Sequence, residues 1–166
     1  MIPLDFPVLH AVTIGIGATV LMDIWILLLK RWGIPTLNFE LLGRWVGHMP
    51  QGRWSHDGIA KAAPVRGEEQ LGWLVHYLTG IGFGLLLTWL AGPDWMQAPT
   101  LLPALAFGIG TVAAPFFVMQ PAMGSGIASS RTATPFLNRI RSLANHTVFG
   151  LGLYAAALAT SRPVLI

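Results

Sequence analysis

Apolar residues in this chain gather into four long runs, and charges, prolines and glycines concentrate in the stretches between them. The first run covers about residues 7–29 and closes on Lys30 and Arg31. The second, 69–91, follows Glu68 and Glu69, acids suited to a helix N-terminus, and stops before Gly92-Pro93. The third, 99–120, opens at Pro99, a residue favoured in a first helical turn, and reaches Gln120-Pro121. The fourth, 136–160, is expected to be capped by Thr134 with Pro135 at its first position. Each run matches the roughly 20 residues an α-helix needs to cross the hydrocarbon core of a bilayer. The pattern predicts an all-α fold, a single membrane domain over residues 1–166 built as a four-transmembrane-helix bundle.

The connection over residues 30–68 is too long for a simple link in so small a bundle. Asn38 can cap a short helix through Gly47 whose apolar side is Phe39, Leu42, Trp45 and Val46, as expected of a helix lying in the interface with Glu40 and Arg44 toward the headgroups. Ser55 can cap a second short helix through Ala63, which Pro64 ends. Pro115 inside the third run predicts a kink or a local opening there. The small-residue stretch from Met119 to Ser130 follows, expected either as a loose loop or as a segment packed closely on the bundle.

Composition agrees with the membrane reading. Hydrophobic residues make up 54% and charged residues 10% of the chain, where soluble domains have about 25% charged. The net charge of +3 would suggest nucleic acid in a soluble protein, but here the basic residues flank apolar runs. Lys30, Arg31, Arg44, Arg53, Lys61 and Arg66 follow the first run, Arg131, Arg139 and Arg141 follow the third, and Arg162 alone falls on the other side. The positive-inside rule then puts both basic segments in the cytoplasm and both termini outside. The lipid bilayer is the expected partner and nucleic acid is not. The N-terminus lacks a basic signal-peptide start, so the first run is expected to be a retained span. With no cysteine, thiol catalysis, disulfides and thiolate metal ligands are excluded.

Ionisable residues within the runs are the candidates for chemistry, because such groups are costly in hydrocarbon and usually functional. Asp23 follows Gly15 and Thr19 at four-residue spacing, His76 sits among Gly72, Gly80, Gly84 and Thr88, and His146 lies between Ser142 and Gly150. Four-residue spacing stacks side chains on one helical face, and small residues there mark close helix contacts. Counting from the flanking charges, Asp23 and His76 lie roughly 10 Å into the membrane from the cytoplasmic side. His146 is somewhat shallower, and Gln120 ends the third run at the same level. These four residues define an expected intramembrane polar site. One reading is structural, a network in which a histidine donates to Asp23 and Gln120 and Ser142 complete the set. Another is a proton or small-ligand site, since histidine beside a carboxylate changes charge near neutral pH. A third gives His76 and His146 as haem or metal ligands, or Met119 and Met123 as soft-metal ligands; no cofactor is required by the sequence. His48, Met49, Arg53 and His56 form the densest polar cluster of the long loop, either an interfacial anchor with Trp45 and Trp54 or a lid over the polar site. The eight-residue spacing of His48 and His56 is not that of a helix-face metal pair.

Phosphate-loop, zinc-protease and nucleophile-elbow motifs are absent. The stretches GIGATVLMDIW, KRWGIPTLNFELLGRWVGHMPQGRWSH, GEEQLGWLVHYLTG, PFFVMQPAMGSGIASSRT and HTVFGLGLY, which together cover most of the chain, resemble the bacterial family catalogued as domain of unknown function 2938. That resemblance implies a small integral protein of the bacterial inner membrane and brings no activity, substrate or cofactor. The expected function is small-ligand or proton-linked binding or transport at the polar site, in a homo-oligomer or on its own. The alternatives are a non-catalytic accessory subunit of a larger membrane complex and a membrane enzyme acting on a lipid or quinone.

Overall fold

The computed structural model describes residues 5–161, and among them every regular element is helical. The main helices are α1 (Asp5–Arg31), α2 (Phe39–His48), α3 (Glu68–Gln97), α4 (Leu101–Gly110) and α5 (Pro135–Thr160). Val8–Arg31, Glu68–Gln97 and Leu101–Ala122 are long and apolar enough to cross a membrane. They carry large exposed apolar side chains, among them Leu9, Leu27, Leu74, Trp89 and Leu102, faces that a bilayer rather than water would cover. α5 is not among these three: Asn138, Arg139, Arg141, Ser142, Asn145 and His146 make its first half polar, and the strongly apolar part begins only after Thr147.

Helix ends follow the local chemistry. α1 closes with Gly33 at φ +70°, while the Ile34 N–H donates to the Leu29 carbonyl and the Gly33 N–H to that of Lys30, the paired bonds of a glycine-stopped helix. Asn38 caps α2 as expected, its side-chain oxygen accepting from the Glu40 N–H at 2.9 Å. α3 is broken at Gly92, at φ 80° and ψ 171°, directly before Pro93, so the break falls where the sequence places the end of the second span. After α4 the chain turns at Thr111 and then forms a π-helix over Pro115–Met119. Proline cannot donate to the carbonyl four residues back; the Ala114 N–H reaches the Thr111 carbonyl instead, at 3.0 Å. Pro135 opens α5, and the Thr134 carbonyl accepts from the Asn138 N–H.

The chain divides into two compact units: residues up to Ile34, Tyr77–Gly110 and the chain from Asn145 onward, and Pro35–His76 with Thr111–Ala144. In the first, the small-residue stripes meet. A Cβ on Gly15 would lie 2.5 Å from the Gly80 carbonyl oxygen, one on Gly84 would lie 2.6 Å from that of Ala11, and one on Gly152 would lie 2.9 Å from Ala18 Cα. Gly108 and Gly150 face each other equally closely. Backbones that approach this far leave no room for side chains, which is how helices associate where no water drives them together. Ile14, Ala18, Leu87, Ala104, Phe149 and Leu153 fill the core around these contacts. Thr19 and Thr88, both buried, return their hydroxyls to the carbonyls of Gly15 and Gly84.

In the second unit, α2 crosses the start of α3. A Cβ on Gly43 would overlap the Glu68 carbonyl, and one on Gly72 that of Phe39. The apolar side of α2, with Phe39 and Leu42 buried, is thus spent on a protein neighbour, which departs from the expected interfacial helix. Arg44 departs with it, turning from the headgroups to Glu68. No helix is capped by Ser55; only a 3-10 turn, Ile59–Lys61, forms there. The Ile59 N–H, which a helix capped at Ser55 would return to the Ser55 carbonyl, donates instead to the Met123 carbonyl at 3.0 Å, next to the bond of the His56 N–H to the Ala122 carbonyl at 2.8 Å, and an N–H committed to another segment cannot serve a helix.

Candidate functional site

The residues singled out in the sequence fall in both units. Asp23 and His146 belong to the first; His76, Gln120, His48, Met49, Arg53 and His56 belong to the second, with Met119 and Met123.

In the first unit Asp23 is half-buried on α1 and its Oδ2 accepts from the Tyr77 hydroxyl at 2.9 Å. The Trp25 indole N–H donates to the Asn145 side-chain oxygen at 3.0 Å. His146, the next residue along α5, is half-buried and makes a hydrogen bond to the Gly108 backbone. His10 contacts Thr160 Oγ1 through Nε2 at 2.7 Å. Since that hydroxyl already donates to the Ala156 carbonyl, the imidazole is the donor. Tyr77 and Asn145 were not legible as partners: each sits one position off the stripe that holds its neighbouring histidine.

In the second unit His76 is 8% exposed and packs against Phe39 with ring centroids 4.8 Å apart, while Phe39 in turn packs on Trp73 at 4.1 Å. The Gln120 amide lies 3.4 Å from Ser142 Oγ, and its carbonyl oxygen accepts from buried Ser129 at 3.1 Å. Ser129 and Ala128 both adopt left-handed backbone conformations, with φ of 60° and 46°, which costs a non-glycine residue about 1–2 kcal/mol. Arg139 Nε–H donates to the Ala128 carbonyl at 2.8 Å and Thr132 Oγ1–H to that of Ser129 at 2.7 Å. The small-residue stretch is therefore a folded, side-chain-braced turn. Arg139, read in the sequence only as a topology charge, is one of its braces.

Two further contacts organise the loop before α3. Arg44 forms a two-pronged pair with Glu68, through Nε at 2.9 Å and an Nη at 2.6 Å, and Glu68 also accepts from the Val65 N–H at 2.8 Å. His48, 3% exposed at the end of α2, meets His56 with Nδ1 and Nε2 2.8 Å apart. His56 Nδ1 is buried without a hydrogen bond. Burial, the neighbouring His48 and the Arg53 charge together push the His56 imidazole below its ordinary range. Met49 is half-buried and Arg53 exposed. Among the described residues no three His, Asp or Glu side chains converge on a common metal-binding point, and the metal readings of His76, His146, Met119 and Met123 remain proposals from sequence.

No curated protein and no solved structure matches this chain. The model of the family described as Protein of unknown function (DUF2938) matches it over residues 12–160, a span that takes in Asp23, His76, Gln120 and His146. The chain belongs to that family.

Proposed function

We propose that the chain is a bacterial inner-membrane protein of four spans, with both termini outside the cytoplasm, that binds and moves a small ligand in step with a proton. The fourth span in this reading is α5. Its apolar half carries Gly150 and Gly152, where a Cβ would lie 3.0 Å from the Ala104 carbonyl oxygen and 2.9 Å from Ala18 Cα, and close contacts of this kind are those of helices that share a bilayer. Polar residues at its start then sit at the cytoplasmic interface beside the other basic segment, in keeping with the positive-inside rule.

The single observation that carries the functional reading is the carboxyl group of Asp23 within a candidate span, hydrogen-bonded by Tyr77. A carboxylate in hydrocarbon is expensive, and a phenol aimed at it supplies one hydrogen bond without neutralising it. The proposal is that ligand occupancy is linked to a proton on this carboxyl group. His146, in the same unit as Asp23, is the further member of the site in this proposal.

Infrared difference spectroscopy on protein in lipid, between acid and alkaline buffer, tests it. The expected result is a carboxylic C=O band that is absent in Asp23→Asn and displaced in frequency in Tyr77→Phe, where the hydroxyl donor is gone. An Asp23→Asn difference spectrum identical to that of the wild type would overturn the proposal.

A further inference from the structure

The His48 and His56 rings face each other across a hydrogen bond that has room for one proton. Their nitrogens are 2.8 Å apart, so one ring donates and the other must offer a lone pair. Neither ring is free to turn away. His48 closes α2 and is buried. His56 is fixed by its own backbone N–H on the Ala122 carbonyl, with Ile59 bonded likewise to Met123 three residues on. Between these two anchors Asp57 and Gly58 lie against Gly124, where a Cβ would come within 2.5 Å of the Asp57 carbonyl oxygen and Gly124 is itself at φ +92°. The loop that begins after Gly52 is thus held on the Ala122–Gly124 turn at one place, and the histidine couple ties that same place to α2.

We infer that His48 and His56 form a proton-operated latch: while they share one proton the loop 53–59 is docked on the Ala122–Gly124 turn, and a second proton releases it. With both rings charged no lone pair remains between them, and two cations would stand at hydrogen-bond distance.

The surrounding charges bear differently on the two rings. Glu68, at the start of α3, lies close enough for its carboxylate to feel a charge on His48, and Arg44 of α2 is already engaged by that same carboxylate. Arg53, on the loop, opposes a charge on His56, as do His48 and burial. The Ala122 carbonyl is the group that favours it, and the Ala122–Gly124 turn brings no ionisable side chain. Asp57, next in the chain, is exposed. His56 is thus the ring on which a charge is opposed by burial, by His48 and by Arg53. The doubly protonated couple must carry that charge, and the contact breaks when it does. The latch is separate from the Asp23 carboxyl group, and it stands or falls without it.

The chain has no cysteine, so two can be introduced and spin-labelled without background. Ser55→Cys and Ser130→Cys are both at exposed positions in the second unit. Pulsed electron–electron distance measurement on lipid-reconstituted protein is expected to give one narrow distance at about pH 8 and loss of that component at about pH 5, on either side of the ordinary imidazole range. His56→Gln, which can donate or accept without titrating, is expected to hold the narrow distance at both pH values. A distance in the otherwise unaltered protein that is the same at both pH values overturns the latch, whether or not any variant folds. Undiminished loss at low pH in His56→Gln overturns it as well.

Discussion

The Tyr77 hydroxyl donates to Asp23 Oδ2 across 2.9 Å, joining α3 to α1 at the residue after His76. Tyr77→Phe removes the donor and keeps the ring, so the effect reads the hydrogen bond alone. Polar contacts between membrane helices are worth about 0.6 to 1.7 kcal/mol. We expect a destabilisation in that interval, measured by reversible unfolding in mixed detergent micelles. No loss of stability would mean that the phenol is not holding the carboxyl group.

Glycine substitutions should separate by position. Gly152→Ala places a methyl 2.9 Å from Ala18 Cα, and overpacking of this kind typically costs about 1–3 kcal/mol. Gly82→Ala and Gly110→Ala meet nothing within 4 Å and replace a flexible residue in or beside a helix, which is expected to be neutral or to stabilise by about 0.5–1 kcal/mol. The same unfolding experiment distinguishes them, and equal effects at all three sites would contradict the packing described for α1 and α5.

The sequence made some of this legible and not the rest, for physical reasons. Asn38, Gly92-Pro93, Pro115 and Pro135 act over at most four positions, and each does in the structure what local chemistry demands. The glycine stripes were equally readable, since close approach needs small residues whatever the partner. Arg44 was not: the sequence offers it headgroups, and only the crossing of α2 over α3 at Gly43 and Gly72 brings Glu68 within reach. Ser55 fails as a cap for the same kind of reason, because the Ile59 N–H that a helix would return to the Ser55 carbonyl is taken by Met123. His48 and His56 have no helical spacing, so their meeting depends on Gly52, at φ +76°, reversing the chain between them. Asp23 was recognised as costly, but its phenol partner sits one position beyond the histidine that the stripe points to.

The Arg44–Glu68 pair is geometric as well as electrostatic. Its side chains are 12% and 15% exposed, enough burial for a two-pronged contact to matter. Arg44→Lys retains the charge but not the fork, and is expected to be nearly as damaging as Arg44→Met. Hydrogen bonds to charged groups contribute about 1.5–3 kcal/mol, so both variants should speed proteolysis of the loop over residues 49–66. Protection restored to the wild-type level by lysine would show that charge alone is sufficient.

Docking of the same loop should depend on pH with a fixed sign. The His56 imidazole is held below its ordinary value of 6.5, so the docked state binds fewer protons than the undocked one. Docking is at full strength above that value and weakens as pH falls below it, toward the lowered value of the docked ring. Hydrogen–deuterium exchange at His56 and Ile59, corrected for the intrinsic rate, is expected to lose protection on acidification. A gain in protection with falling pH would reverse the assignment of burial and charge around His56.

The most direct test of the whole account is whether α5 crosses the membrane, because the depth of Asp23 and the shared side of the basic loops both follow from a four-span topology. Single cysteines at Ser130 and Ser161, introduced into the cysteine-free chain, can be labelled with a membrane-impermeant maleimide in inverted and right-side-out vesicles. The account predicts that Ser130→Cys reacts only in inverted vesicles and Ser161→Cys only in right-side-out ones. Labelling of both from the same side would contradict it.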